Sequence, residues 1–432
     1  MKGTKQETRS APGNAEPGAV PKKEMSDSKT KNSALIYCCR SEMHIGNLHR
    51  VIGLAGKLNE DFRVTILLDE DTPVLVDVPE SIKLVFLPAL RIDPDSSVFA
   101  MDESEQLNER IVLRRDVILT EFERLKPQVV IVDNFPFHQH RLRGEVLPMI
   151  ERARNGVYGE SIVVCTTDSI MVDETAKGEE HADAAAAMLD KYFDLVVVQS
   201  DPVFARLEEF FKPRNTMHTP IYHAGFVMAD TRSRPIDSSK EDRILVSAGD
   251  GLFGGALFRA AMEAQRVLHP VSGRPMKIIA GPRLLEHEYQ DLARQAKSIA
   301  GLTITRIVDD LRDEVSRSTY SVSQCGYCAA LNAITTQTPS LFVPCPDRRR
   351  REQMVRAQRL VYWGAGHLLL PHHLNAASLT NEINQLLHLE PREIHFDTDG
   401  AANTVSLIER AAHAGRMGTV TSHPSVNRGW PH

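Results

Sequence analysis

Residues with useful chemistry collect in a few turns. Between Ser323 and Arg359 the sequence runs Ser-Gln-Cys-Gly-Tyr-Cys, an apolar helical pattern, Thr-Pro-Ser-Leu-Phe-Val-Pro, then Arg-Glu-Gln-Met-Val-Arg-Ala-Gln-Arg. The strand pattern Tyr320–Ser323 ends in a small-residue turn at Gly326, which lets backbone amides face an anion at the start of the next helix. Glu352 and Gln353 follow a second apolar strand, Ser340–Val343. A carboxylate and an amide are the groups that read sugar hydroxyls through hydrogen bonds. The same stretch contains Cys325-Gly-Tyr-Cys328, a spacing that invites thiol–disulfide exchange. A single such pair, deep in the second half of a long chain, is a low-specificity pattern.

Three further turns carry candidates. Arg40-Ser-Glu-Met-His44-Ile-Gly46-Asn47-Leu-His49-Arg50 is a polar turn with one glycine feeding a helix, and it offers His44 or His49 as a proton acceptor of suitable pKa. Its bland reading is a solvated loop. Ala248-Gly249-Asp250-Gly251-Leu-Phe-Gly254-Gly255 follows the strand pattern Ile244–Ser247, and its glycines allow backbone amides to approach a diphosphate closely. It lacks the Gly-Lys-Ser/Thr ending of a Walker loop, and Asp250 is unwelcome beside phosphate. Asp133-Asn134-Phe135-Pro136-Phe137 precedes His138, His140, Arg141 and Arg143. No Cys or carboxylate stands at ligand spacing from these histidines, so no metal is expected. Asp69-Glu70-Asp71 and Asp93-Pro94-Asp95 read as solvated acidic loops. The basic run Arg348–Arg351 could neutralise a phosphate or an anionic membrane surface, and it reads at least equally well as a solvated helix start or loop.

Short apolar runs alternating with helical patterns position these turns. Strands are expected at Ala34–Cys39, Val64–Leu68, Lys83–Leu87, Val129–Val132, Ile162–Cys165 and Leu195–Val198, with helices at Asn47–Leu58, Glu105–Leu125 and Leu142–Ala153. The rhythm pauses over 229–242 and resumes with strands at Ile244–Ser247, Lys277–Ala280, Thr303–Ile307, Tyr320–Ser323 and Ser340–Val343. This is an α/β chain with two Rossmann-like, doubly wound parallel-sheet domains, 34–228 and 243–411, facing across a cleft. A disordered leader (1–33) and a flexible tail (412–432) flank them.

Composition narrows the function classes. The chain has 432 residues, a formal net charge of −6, 42% hydrophobic and 25% charged residues. That balance suits a globular protein with a sizeable core and gives no electrostatic footprint for nucleic acid. Six cysteines, mostly within apolar runs, fit a reducing cytoplasm. No apolar run approaches the roughly 20 residues that cross a bilayer. Nothing in the pattern fixes an oligomeric state.

The order of these parts resembles the MurG-like glycosyltransferases of the GT-B fold over most of residues 34 to 410. The resemblance rests on Ile-Gly-x-Leu-x-Arg (Ile45–Arg50), Val-Asp-x-Phe-Pro-Phe (Val132–Phe137), Arg-Gly-Glu-Val-Leu-Pro (Arg143–Pro148) and Tyr-Phe-Asp-Leu-Val-Val-Val-Gln-Ser-Asp-Pro (Tyr192–Pro202). In the second half it rests on Val-Ser-Ala-Gly-Asp-Gly (Val246–Gly251), Gly281-Pro282, Ser-Val-Ser-Gln-Cys-Gly-Tyr (Ser321–Tyr327) and Glu-Gln-x-x-Arg-Ala-Gln-Arg-Leu (Glu352–Leu360). The resemblance implies transfer of a sugar from a nucleotide-diphosphate donor, a UDP-sugar first among them, to an acceptor hydroxyl. Transfer would invert the anomeric centre and need no metal or other cofactor. In that picture Gly249 and Gly251 face the diphosphate, Gly326 and Tyr327 line the donor site, and Glu352 with Gln353 contact the sugar. The acceptor side falls to Gly46, Asn47, Asp133 and Asn134, with His44 or His49 as base. Three positions depart from the family pattern: Asn47 stands where a His is usual, Asn332 where a carboxylate meets the ribose hydroxyls, and Gly249-Asp250 where a glycine pair precedes the phosphate. A sugar-nucleotide hydrolase or epimerase, or a degenerate binding or scaffold protein of the same fold, are the alternatives.

Overall fold

The computed structural model describes residues 31–38, 45–70, 77–92, 98–100, 107–137, 142–171, 178–229, 239–347, 350–386, 388–389 and 393–415. Its first half opens with β1 (Asn32–Cys38), α1 (Ile45–Leu58), β2 (Phe62–Asp69) and β3 (Lys83–Leu87). A small antiparallel pair, β4 (Leu90–Ile92) and β5 (Val98–Ala100), leads into α2 (Leu107–Leu125). Then come β6 (Val129–Asp133), α3 (Arg143–Arg154), β7 (Ile162–Thr167), α4 (Gly178–Tyr192), β8 (Leu195–Val198) and β9 (Ile221–His223). These form a seven-stranded parallel sheet of order β3-β2-β1-β6-β7-β8-β9.

The second half runs β10 (Glu241–Ser247), α5 (Gly255–Ser272), β11 (Met276–Ile279), α6 (Glu286–Ala296), β12 (Leu302–Thr305), α7 (Leu311–Arg317) and β13 (Ser318–Ser323). It continues with α8 (Tyr327–Thr336), β14 (Ser340–Phe342), α9 (Arg351–Trp363), β15 (Gly366–Leu368), α10 (Ala376–Leu386) and α11 (Gly400–Gly415). Its six strands order as β12-β11-β10-β13-β14-β15, all parallel.

Parallel strands covered on both faces read as continuous apolar runs, which is why the expected strands fall where they do. Along β1, Leu35 and Tyr37 pack against Ile118 and Phe122 of α2 and Val146 and Ile150 of α3, while Ala34 and Ile36 pack on the opposite face among residues of α1. The short edge strands β9 and β15 escaped the sequence reading because three residues carry too little periodicity. The first strand begins two residues before the expected start, at Asn32, and Ser33 pairs with Arg63 and is buried. Residues 230–238 of the expected linker, residues 1–30 and residues 416–432 lie outside the described residues.

Helix α11 departs from the expected partition. Val405, Leu407 and Ile408 are buried with Leu48, Val51 and Leu54 of α1, completing the first domain's core although they follow the second in sequence. The preceding segment is tied to the interdomain crossing: Phe226 N–H donates to Asp397 O at 2.7 Å and Gly400 N–H to Phe226 O at 3.0 Å. An apolar helical stripe says that it needs a sheet but not which one.

Asp69, read as part of a solvated loop, is instead buried. Arg114 of α2 donates to Asp69 at 3.2 Å and to both oxygens of Glu145 of α3 at 2.7 and 2.9 Å, with the Tyr37 hydroxyl donating to the same Glu145. This network locks α2 and α3 to the sheet. Asp71 and Asp93–Asp95 lie outside the described residues.

Candidate active site at the domain junction

In each sheet the first strand sits between neighbours reached by crossovers of opposite direction, and ligands of such sheets bind beyond the strand ends at that switch point. In the second domain it lies between β10 and β13, whose registered residues Ser247 and Ser323 send their turns off side by side. The β10 turn is held by Gly251 N–H to Ala248 O (3.0 Å) and Arg283 N–H to Asp250 O (2.8 Å). Gly251, at φ 91°, meets the next turn so closely that a Cβ would lie 2.0 Å from Ala280 O. Packing thus accounts for this glycine. Gly249 and Gly326 are different: nothing lies within 4 Å of where their Cβ atoms would be.

Three polar side chains lace the second domain's turns together. Gln324 Nε2 donates to Phe253 O at 3.0 Å, the Arg350 guanidinium lies 4.7 Å from the Phe253 ring centroid, and Cys345 N–H donates to Gln353 Oε1 at 2.9 Å. Gln353 therefore braces the turn that leads into α9. Burial pushes the Glu352 carboxyl up, against the opposing pull of Arg356 and Arg350. Asn332, in the second turn of α8, is buried, and its carbonyl accepts from the Thr336 hydroxyl. Arg350 belongs to the run read as a solvated helix start, yet it is buried against Phe253. Arg348 and Arg349 lie outside the described residues.

Tyr327 does something the sequence did not suggest. Its hydroxyl donates to Gln199 O at 3.0 Å and accepts from Val227 N–H at 2.9 Å, both in the segment that closes the first domain. It stitches the two halves together. Beside it, Arg356 of α9 donates to Asp168 at 2.7 Å, just beyond β7, and to Cys325 O at 3.0 Å. The strand ends of both sheets therefore meet at one junction.

The first domain's switch point is built from Asp133, fully buried at the end of β6. Its carboxylate accepts from Arg50 Nη2 at 2.9 and 3.1 Å, from Thr166 at 2.9 Å and from Asn134 Nδ2 at 2.9 Å. Asn134, at φ 60°, also accepts from the Thr167 hydroxyl at 3.0 Å. The expected acceptor-side pair Asp133 and Asn134 is thus saturated by its own domain. Arg50 stacks 5.5 Å from the Tyr327 ring centroid, while its Nε and Nη1 are buried without partners. Sequence reasoning passed over Arg50, Asp168 and Arg356. The signal was present, since each is a lone charge next to a strand end or inside a quoted motif.

His49 lies on α1, and burial lowers its pKa to about 4 against the opposing charge of Asp310, which caps α7 in the second domain. The imidazole is neutral near pH 7, the state a base needs. His44, and residues 138–141, lie outside the described residues; Gly46 and Asn47 fall in the first turn of α1, the Asn47 side chain lying outside what is described. The thiols of Cys325 and Cys328 are both pushed up to about 12 by burial, which removes the thiolate that redox exchange requires. Among the described residues no group of three His, Cys, Asp or Glu side chains has the geometry of a metal site, and no helix is long and apolar enough to cross a membrane.

No family model matches the sequence, and no curated protein matches it. Solved structures do match the fold. The calicheamicin glycosyltransferase CalG4 aligns over 90% of this chain and 100% of its own, with a TM-score of 0.55 and 16% identity. MurG of Acinetobacter baumannii aligns over 88% and 99%, with a TM-score of 0.54 and 14% identity. Medicago truncatula UGT71G1, complexed with UDP-glucose, aligns over 90% and 100%, with a TM-score of 0.56 and 13% identity. The architecture of this chain, two parallel-sheet domains meeting at their strand ends, is that of the GT-B glycosyltransferases.

Proposed function

We propose that this protein transfers a sugar from a nucleotide diphosphate, held by the second domain, to an acceptor hydroxyl presented by the first. One observation carries the reading: at the second domain's switch point the β10 and β13 turns run side by side, with Gly249 and Gly326 both open where a side chain would stand. Backbone amides there can approach a diphosphate as no side-chain-bearing turn allows. Gly326 caps α8, so the helix dipole adds to the attraction.

In the reaction, His49 removes the acceptor proton as the acceptor oxygen attacks the anomeric carbon. The bond from that carbon to the diphosphate breaks, and its electron pair leaves with the diphosphate. Direct displacement inverts the configuration. Amides of the two turns and Arg350 stabilise the departing charge, so this reading asks for no metal. Glu352, whose carboxyl burial pushes up, is suited to hydrogen bonding with a sugar hydroxyl. UDP is the first nucleotide to try, and a reducing, intracellular setting with peripheral membrane contact remains part of the proposal.

The test is a melting-temperature panel with UDP-, GDP-, TDP- and ADP-sugars. A rise with at least one supports the donor site, because a ligand that binds only the folded state stabilises it. No shift with any of them overturns the reading. Product analysis with and without an acceptor extract then separates transfer from hydrolysis or epimerisation, and the anomeric configuration of the product tests inversion.

A further inference from the structure

We propose that Asp250 couples donor binding at the β10–α5 turn to the uptake of a proton, so that a nucleotide diphosphate enters with the Asp250 carboxyl protonated. This rests on the donor-site reading above. The observation behind it is an unmatched oxygen. Asp250 is 5% exposed; its Oδ1 accepts from Leu252 N–H at 3.1 Å, while Oδ2 is buried without any hydrogen-bond partner.

The backbone that carries the carboxylate is held in place. Its own carbonyl accepts from Arg283 N–H at 2.8 Å, and Gly251 and Gly281 interlock on either side, a Cβ on Gly281 falling 2.4 Å from the Asp250 backbone. An anion brought to this turn therefore meets a fixed negative charge in the turn itself. Protonation resolves both difficulties. A neutral carboxyl no longer repels phosphate, and the O–H placed on Oδ2 gives the turn a donor in place of an unmatched acceptor. Burial already pushes the Asp250 carboxyl up; the charged groups facing it are the guanidinium groups of Arg350 and Arg283, which pull the other way. An incoming diphosphate competes for those same cations, and that weakens their hold on the carboxylate. The proton comes from solvent, and no covalent bond changes.

The experiment is isothermal titration with the nucleotide sugar that gives the largest melting shift in the panel above, UDP-glucose being the first tried, in PIPES and in Tris at equal pH. These buffers differ in ionisation enthalpy, so the difference in heat counts protons. The wild type is expected to take up a proton on binding, its affinity falling by up to tenfold per pH unit on the alkaline side. Asp250→Asn is expected to bind without that uptake, with an affinity that is flat in pH and higher than wild type at pH 8. Binding by the wild type with no buffer dependence overturns the proposal and needs no variant. Equal uptake in both proteins also overturns it, since the proton would then go elsewhere, to His49 or Glu352. A panel without any shift overturns the donor-site reading instead, before this titration begins.

Discussion

A single histidine shows how burial sets chemistry here. His49 has its pKa lowered to about 4, whereas in the unfolded chain it titrates near its ordinary 6.5. The unfolded state therefore binds a proton that the folded state refuses between these values, and stability falls as pH drops from 6.5 towards 4. His49→Gln should flatten this part of the stability–pH curve measured by urea unfolding; an unchanged slope would place the titrating group elsewhere. Catalysis carries the same signature. If His49 is the base, the acid limb of kcat/KM should fall off near pH 4 to 5 rather than near 6.5, and His49→Gln should lower kcat by about 100-fold or more. A variant with full turnover would show that another group is the base.

Turns and strands were unequally legible. The strand Leu195–Val198 coincides with its apolar run because both faces are covered, leaving composition no freedom. The glycines of the β10 turn were recognisable as special, but their roles separate only in three dimensions. Gly251→Ala places a Cβ against Ala280 O at a positive φ and should cost about 3 kcal/mol of stability through strain and displaced backbone. Gly249→Ala, at φ 59° with open space around it, should cost about 1 kcal/mol yet weaken nucleotide binding. Urea unfolding and nucleotide titration on the pair should thus give opposite rankings, and matching rankings would mean that the turn is purely structural. The bracing contacts of Tyr327 and Gln353 were not legible for a related reason. A polar side chain near a strand end satisfies the sequence signal equally well whether it faces ligand or braces a loop.

The two sheets share one core at their junction, and this governs how the whole molecule unfolds. Ile170, Phe204 and Phe226 from the first half are buried with Tyr327, Leu331, Phe342 and Leu360 from the second. Phe226 is central: its ring centroid lies 5.4 Å from that of Phe204, 6.0 Å from Tyr327 and 6.1 Å from Phe396. Polar ties reinforce the same surface, with Arg356 on Asp168 at 2.7 Å and Arg359 on Glu209 at 2.5 Å. Helix α11 adds a covalent return from the second domain to the first domain's core. Separating the domains would expose this aromatic cluster, so neither sheet has a stable surface of its own there. Calorimetry of the wild type should therefore show one cooperative transition. Phe226→Ala removes the ring common to both halves at a cost of about 3 to 5 kcal/mol. Because that loss falls on the junction and not within either sheet, the variant should melt in two steps, with the first step opening the interface. Two transitions already present in the wild type, or one transition merely shifted down in Phe226→Ala, would show that the junction does not couple the domains.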